Sequence, residues 1–163
     1  MSIDYIVASL PPIAFGEPAP MTWGEFAAAC GGEESAAFRR VKKTIGEGEW
    51  RDMEIQLRNA AAEARTGGRA HSRAAEGCSL YWRDRVVQCF AEKDVAKRDE
   101  ALDKAWWDAA GELVPPASPL GAGALAAYAV RLRIALRRSA ISSESGSAAF
   151  EKLTTETKMD FPK

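Results

Sequence analysis

The 163-residue sequence has no long apolar run, and no stretch approaches the ~20 consecutive apolar residues that a membrane-spanning helix needs. Its first apolar run lacks a preceding basic segment and is broken at Pro11 and Pro12, so it does not resemble a secretory signal. Cysteine is also scarce. Cys30, Cys78 and Cys89 form an odd set without a CxxC pair, which favours a reducing compartment. We therefore expect a cytoplasmic protein with no direct membrane insertion.

An excess of charge of one sign is missing as well. The formal net charge is −1, with 28% charged and 47% hydrophobic residues. This balance is typical of a folded globular chain rather than a disordered one. Nucleic-acid-binding domains normally carry a marked basic excess, so we expect no nucleic-acid partner. The length suits one domain over residues 1–163, which would bury about 70% of its unfolded surface.

Recognisable catalytic motifs are absent from the sequence, which contains no GxSxG, HExxH, P-loop or GxGxxG pattern. The only histidine, His71, precedes Cys78 by 7 residues, and Cys78 precedes Cys89 by 11. Eleven helical residues span about 16 Å, whereas zinc ligands lie about 2.0–2.3 Å from one ion. We therefore predict a protein that is not an enzyme, with no catalytic residues, no metal and no cofactor.

Strand patterns are rare, whereas Ala, Arg, Glu and Leu recur at helical spacing. This predicts an all-α fold, a compact bundle of about six to seven helices. The segment Asp4–Leu10 is too short for periodicity to separate a strand from a helix. Residues 1–20 are predicted as an N-terminal segment with a proline-rich linker, and residues 142–163 as a polar hinge with a weak C-terminal helix.

Capping and breaking residues predict the helix boundaries. Thr22 to Glu25 form a capping-box pattern, and Gly31-Gly32 predicts the end of the helix that follows it. Five further helices are predicted over Ser35–Ile45, Trp50–Arg65, Ser72–Ala91, Asp94–Leu113 and Leu120–Ile141.

Tryptophan and arginine are the residues most suggestive of binding. Trp82 and Trp106 fall on the apolar stripes of their helices. Trp107 points about 100° away from Trp106, so it is either buried between helices, the commoner outcome, or an exposed anchor for a partner. The last long helix carries four arginines and no acid, which fits an acidic protein partner at least as well as nucleic acid. The four are Arg131, Arg133, Arg137 and Arg138.

Two stretches carry a family resemblance. The run YIVASLPPIAFGEP from Tyr5 to Pro18, followed by Pro20 and the helix start at Thr22, resembles small bacterial proteins encoded among V-type ATPase (ATP synthase) genes. The stretch AYAVRLRI over 127–134 is similar to the late helix of that family. It is more distantly similar to a helix in the C-type (or d-type) funnel protein of the V/A-type ATPases, in which a Glu takes the place of Arg133.

The resemblance implies an accessory or central-stalk subunit of a bacterial V-type ATPase. Such a subunit has no catalysis of its own, binds the shaft or stalk proteins of the complex, and is peripheral to the inner membrane through that complex. It also implies that the last long helix faces a partner, through Tyr128 and the four arginines. Together with Trp107, these are the candidate partner-binding residues. The alternative is a generic helical adaptor or regulator unrelated to the ATPase; an enzyme and a nucleic-acid module rank lower.

Overall fold

The protein is described by a computed structural model over residues 2–67 and 79–141. These residues form seven α-helices and one 3-10 helix, with no strand among them, so the all-α prediction is confirmed. The helices are α1 Ile3–Ser9, α2 Trp23–Ala29, α3 Ala36–Gly46, α4 Glu49–Thr66, α5 Leu80–Cys89, α6 Val95–Ala109 and α7 Ala122–Ala140, and the 3-10 helix Ala110–Leu113 continues α6. None of these helices combines the length and hydropathy required to cross a bilayer.

Local capping explains the first two helices. The hydroxyl of Ser2 accepts from the Tyr5 N–H, so the ambiguous N-terminal segment is a helix, and it ends where Leu10 turns extended before a proline. At α2, the Thr22 hydroxyl accepts from the Glu25 N–H, while the Glu25 carboxylate accepts from the Thr22 N–H at 2.7 Å. The predicted capping box is therefore confirmed. The glycine pair that follows α2 has φ of 92° at both residues, a conformation that favours glycine and ends the helix.

Two predicted helices differ from those observed. Within the helix predicted over Ser72–Ala91, α5 occupies Leu80–Cys89, and the extended Ser79 caps it by accepting from the Trp82 N–H. The predicted residues 72–78 lie outside the described part of the chain. The helix predicted to end at Leu113 stops being α-helical at Ala109 and tightens into the 3-10 turn.

Some predictions fall outside the described residues. They are the region around His71 and Cys78 and the hinge and C-terminal helix over 142–163. Of the cysteines in the described part, Cys30 is buried and Cys89 is partly buried, and both are free thiols.

Helix α7 lies between two apolar clusters and contributes to both. Leu125 and Leu132 pack with α1, α2 and α3, whereas Val130 and Ile134 pack with α4, α5 and α6. A helix buried on two sides needs a wide apolar arc, which explains why its sequence is apolar around more than half of its circumference. The proline-rich linker joins the clusters, because Ile13 packs against both.

Candidate functional site

Trp107 is buried, with 7% of its surface exposed. The ring of Phe15 meets it edge-on at 5.5 Å between centroids, and the Arg131 guanidinium lies 5.5 Å from its centroid. Of the two interpretations open from the sequence, burial between helices is therefore the one observed. Its neighbour Trp106 is only partly buried.

The face of α6 that packs against the rest of the protein contains a carboxylate, so an apolar stripe in the sequence does not mark it. Asp103, Trp107 and Ala110 follow one another at helical spacing and are all buried. The apolar stripe predicted from the sequence omits Asp103 and runs through Leu102 and Trp106 instead. The signal that could have revealed the true face is the excess of arginine on α7, which needs acids on a neighbouring helix.

Tyr128 packs against other side chains of the protein. Its ring stacks on Phe26 with centroids 5.8 Å apart, and its hydroxyl lies 3.6 Å from the Met21 sulfur. Burial raises the pKa of Tyr128. The two stretches that carry the family resemblance therefore pack directly against each other, one supplying Phe26 and the other Tyr128.

Arg131 links α7 to the end of α6. Its Nε–H donates to the Trp107 carbonyl oxygen at 3.3 Å. Burial lowers the pKa of Arg131, and the negative charge of Asp108 partly opposes that shift. The guanidinium thus satisfies a backbone acceptor and covers an indole ring inside the protein.

Arg137 and Arg138 converge on one buried carboxylate. Asp103, 6% exposed, accepts from Arg137 and, at 3.3 Å, from Arg138. Arg138 also lies 3.4 Å from the Glu100 carboxylate and 4.9 Å from the centroid of Phe15. The acids missing from α7 itself are therefore supplied by α6, and these two arginines brace the helix pair.

Arg133 differs from the other three arginines of α7. It is exposed, and it makes no ion pair with the residues that the structure describes. It lies at the edge of a groove of about 580 Å³ that α4, α6 and α7 form together. Arg131 forms no ion pair with the described residues either, but it is held against Trp107, whereas Arg133 is exposed. Whether the four arginines contact a partner stays a prediction.

The groove has an apolar floor and a charged rim. Its floor consists of Trp50, Ala61, Leu102, Trp106, Val130 and Ile134. Its rim consists of Glu54, Arg58, Arg65, Asp99, Arg133 and Arg137, and the buried Asp103 lies beneath Arg137. The α4 residues among these recur every three or four positions, so one face of that helix forms a whole wall.

A second depression of about 500 Å³ extends the groove along α6. It shares three residues with the first and adds four, namely Ala64, Phe90, Val95 and Arg98; the shared ones are Arg65, Asp99 and Leu102. Two thirds of Val95 is exposed, at 67%. The two depressions form one trough, hereafter the α6 trough, which reaches from Trp106 to Val95.

The charged groups of the α6 trough are arginines and carboxylates, and several of them are in ion pairs with one another, such as Arg58 with Glu54 at 2.8 Å. Within residues 2–67 and 79–141, no three metal-ligating side chains gather at one point. Comparison with protein-family models, with curated proteins and with solved structures finds no match to this chain. The trough and the two sequence motifs are therefore the features that point to a function.

Proposed function

We propose that this chain works by binding another protein in the α6 trough, as a non-catalytic accessory or central-stalk component of a V-type ATPase. The observation that carries the docking role is the composition of the trough, which partly exposed Trp106 lines together with arginines such as Arg133 and Arg65. Tryptophan and arginine are the residue types most enriched at the energetic centres of protein interfaces. An apolar floor inside a polar rim is the usual anatomy of such a site.

The ATPase part of the proposal is supported by the N-terminal motif. Its residues build the scaffold behind the trough: Ile6 is buried against α7, and Phe15 packs on Trp107. The motif therefore packs against α6 and α7, which form two of the walls of the trough. The partner expected from the resemblance is a shaft or stalk protein of the complex.

Affinity purification from the native cell at native expression level tests this proposal. We expect subunits of a V-type ATPase to be enriched with the wild-type chain and to be lost with Arg133→Glu, which reverses a charge at the trough. The matched control is Arg39→Glu, an equally exposed arginine on α3. If unrelated proteins are enriched and their enrichment depends on Arg133, the result would favour a generic adaptor. If neither Arg133→Glu nor Arg39→Glu changes the enrichment, the result would refute docking in the trough.

A further inference from the structure

We infer that the occupant of the α6 trough is an acidic amphipathic helix of about three turns, presented by the partner protein. This inference rests on the proposed function, because it names the chemistry of the partner at the same site. It follows from the length of the trough, the placement of its apolar side chains and three arginines that form no ion pair with the described residues.

The length of the expected partner helix follows from the apolar stripe on α6. Val95, Leu102 and Trp106 lie on one face of that helix, spaced by 7 and 4 residues. At 1.5 Å per residue the stretch from Val95 to Trp106 spans about 16 Å, or three helical turns. A helix laid alongside would meet this stripe with apolar residues at i, i+3, i+4 and i+7, which is the usual pattern for a helix bound in a groove.

The acidic character of the expected partner helix follows from three arginines that line the trough. Arg65, Arg98 and Arg133 make no ion pair with any residue that the structure describes. Arg65 and Arg98 each place their guanidinium 5.7 Å from the centroid of Phe90, which holds both at the same end of the trough. Carboxylates on the flanks of a bound helix would complement these charges with charge-assisted hydrogen bonds.

A phosphate polymer fits the same arginines less well. Single-stranded nucleic acid binds by stacking bases on exposed aromatic faces. Here Trp50 is 2% exposed, and the partly exposed ring of Phe90 already faces the guanidiniums of Arg65 and Arg98. Trp106 is the remaining partly exposed aromatic ring in the described lining of the trough. A neutral apolar helix would cover the floor but would bring no carboxylate to the three arginines, which form no ion pair within residues 2–67 and 79–141. The acidic amphipathic helix is the occupant that satisfies both the floor and the rim.

Selection from a displayed library of 14-residue helices tests this inference on the full chain. Each helix carries a fixed leucine stripe at i, i+3, i+4 and i+7, and its flanking positions are randomised among Glu, Lys and Gln. We expect Glu to be enriched on the wild-type chain and Lys to be enriched on the double variant Arg98→Glu/Arg133→Glu. The matched control, Arg39→Glu/Arg40→Glu on α3, should select as the wild type does.

Affinities of the selected peptides complete the test. By fluorescence anisotropy, an enriched acidic peptide should bind the double variant about tenfold or more weakly than the wild type, and its affinity should fall with added salt. Enrichment of Lys or Gln on the wild type would overturn the acidic helix while leaving protein docking intact. No enrichment of any helix, or tighter binding of a poly(U) oligonucleotide, would overturn the inference; tight poly(U) binding would count against the proposed function too.

Discussion

Replacing Gly123 by alanine should destabilise the protein strongly, because this residue lies where α7 passes the 3-10 helix. A Cβ at Gly123 would overlap the carbonyl oxygen of Leu113, and it would lie 3.0 Å from the carbonyl carbon of Leu113 and 3.1 Å from Cδ of Pro115. The obstructing atoms are backbone and a proline ring, which cannot rotate away. The start of α7 would have to move, and with it the packing of Arg131 on Trp107.

The magnitude follows from two opposing terms. Gly→Ala inside a helix gains up to about 1 kcal/mol of helix propensity. Overpacking of a close contact costs typically about 1–3 kcal/mol and occasionally more, and rigid neighbours favour the upper end. We therefore expect a net loss of about 2 kcal/mol. For a chain of this size, that corresponds to a fall in Tm of about 4–8 °C.

Gly46→Ala is the matched control. Gly46 ends α3 without a positive φ, and a Cβ added there would meet no non-neighbouring atom within 4 Å. The same chemical change should therefore leave stability unchanged or raise it by up to about 1 kcal/mol. Urea unfolding followed by circular dichroism measures both variants. Equal stabilities of Gly123→Ala and wild type would refute the observed approach of α7 to Leu113.

Two further perturbations test the charged contacts. Asp103→Ala should cost about 1–2 kcal/mol in urea unfolding, because it removes the carboxylate shared by Arg137 and Arg138, while both guanidiniums keep some access to water. Asp99→Ala, an exposed acid on the same helix, should cost less than about 0.5 kcal/mol, and equal losses would contradict the role of Asp103. Hydrogen bonds from the Thr22 N–H and hydroxyl lower the pKa of Glu25, so its contribution is present above the ordinary glutamate pKa of about 4.3 and is lost as the pH falls through the lowered value. Glu25→Gln should flatten this part of the acid-unfolding curve, and an unchanged curve would contradict the capping assignment.

Much of the fold could be predicted because its signals are local. The Thr22 capping box and the Gly31-Gly32 stop depend on residues within a few positions of each other, and the structure has both. The cap at Ser79 was not predicted, because periodicity alone does not show that a serine caps a helix rather than continues it.

The candidate site was harder to predict from the sequence than the fold. Periodicity places Trp106 and Trp107 at different angles around α6, but only the neighbouring helices decide which of them is buried. In the same way, four arginines on α7 suggest a free basic face until Asp103 and Glu100 of α6 are placed beside Arg137 and Arg138. The α6 trough needs three helices from distant parts of the chain, so no local pattern specifies it.

Photo-crosslinking from the α6 trough decides whether a partner protein binds there. The crosslinking amino acid p-benzoylphenylalanine would replace Val95 in the native cell, because Val95 lines the trough, is 67% exposed and carries none of its charges. A matched probe would replace Arg40, which is exposed on α3. We expect an adduct from position 95 alone, mapped by mass spectrometry to a helix of a V-type ATPase shaft or stalk protein. Absence of an adduct beyond that formed from position 40 would refute docking in the trough.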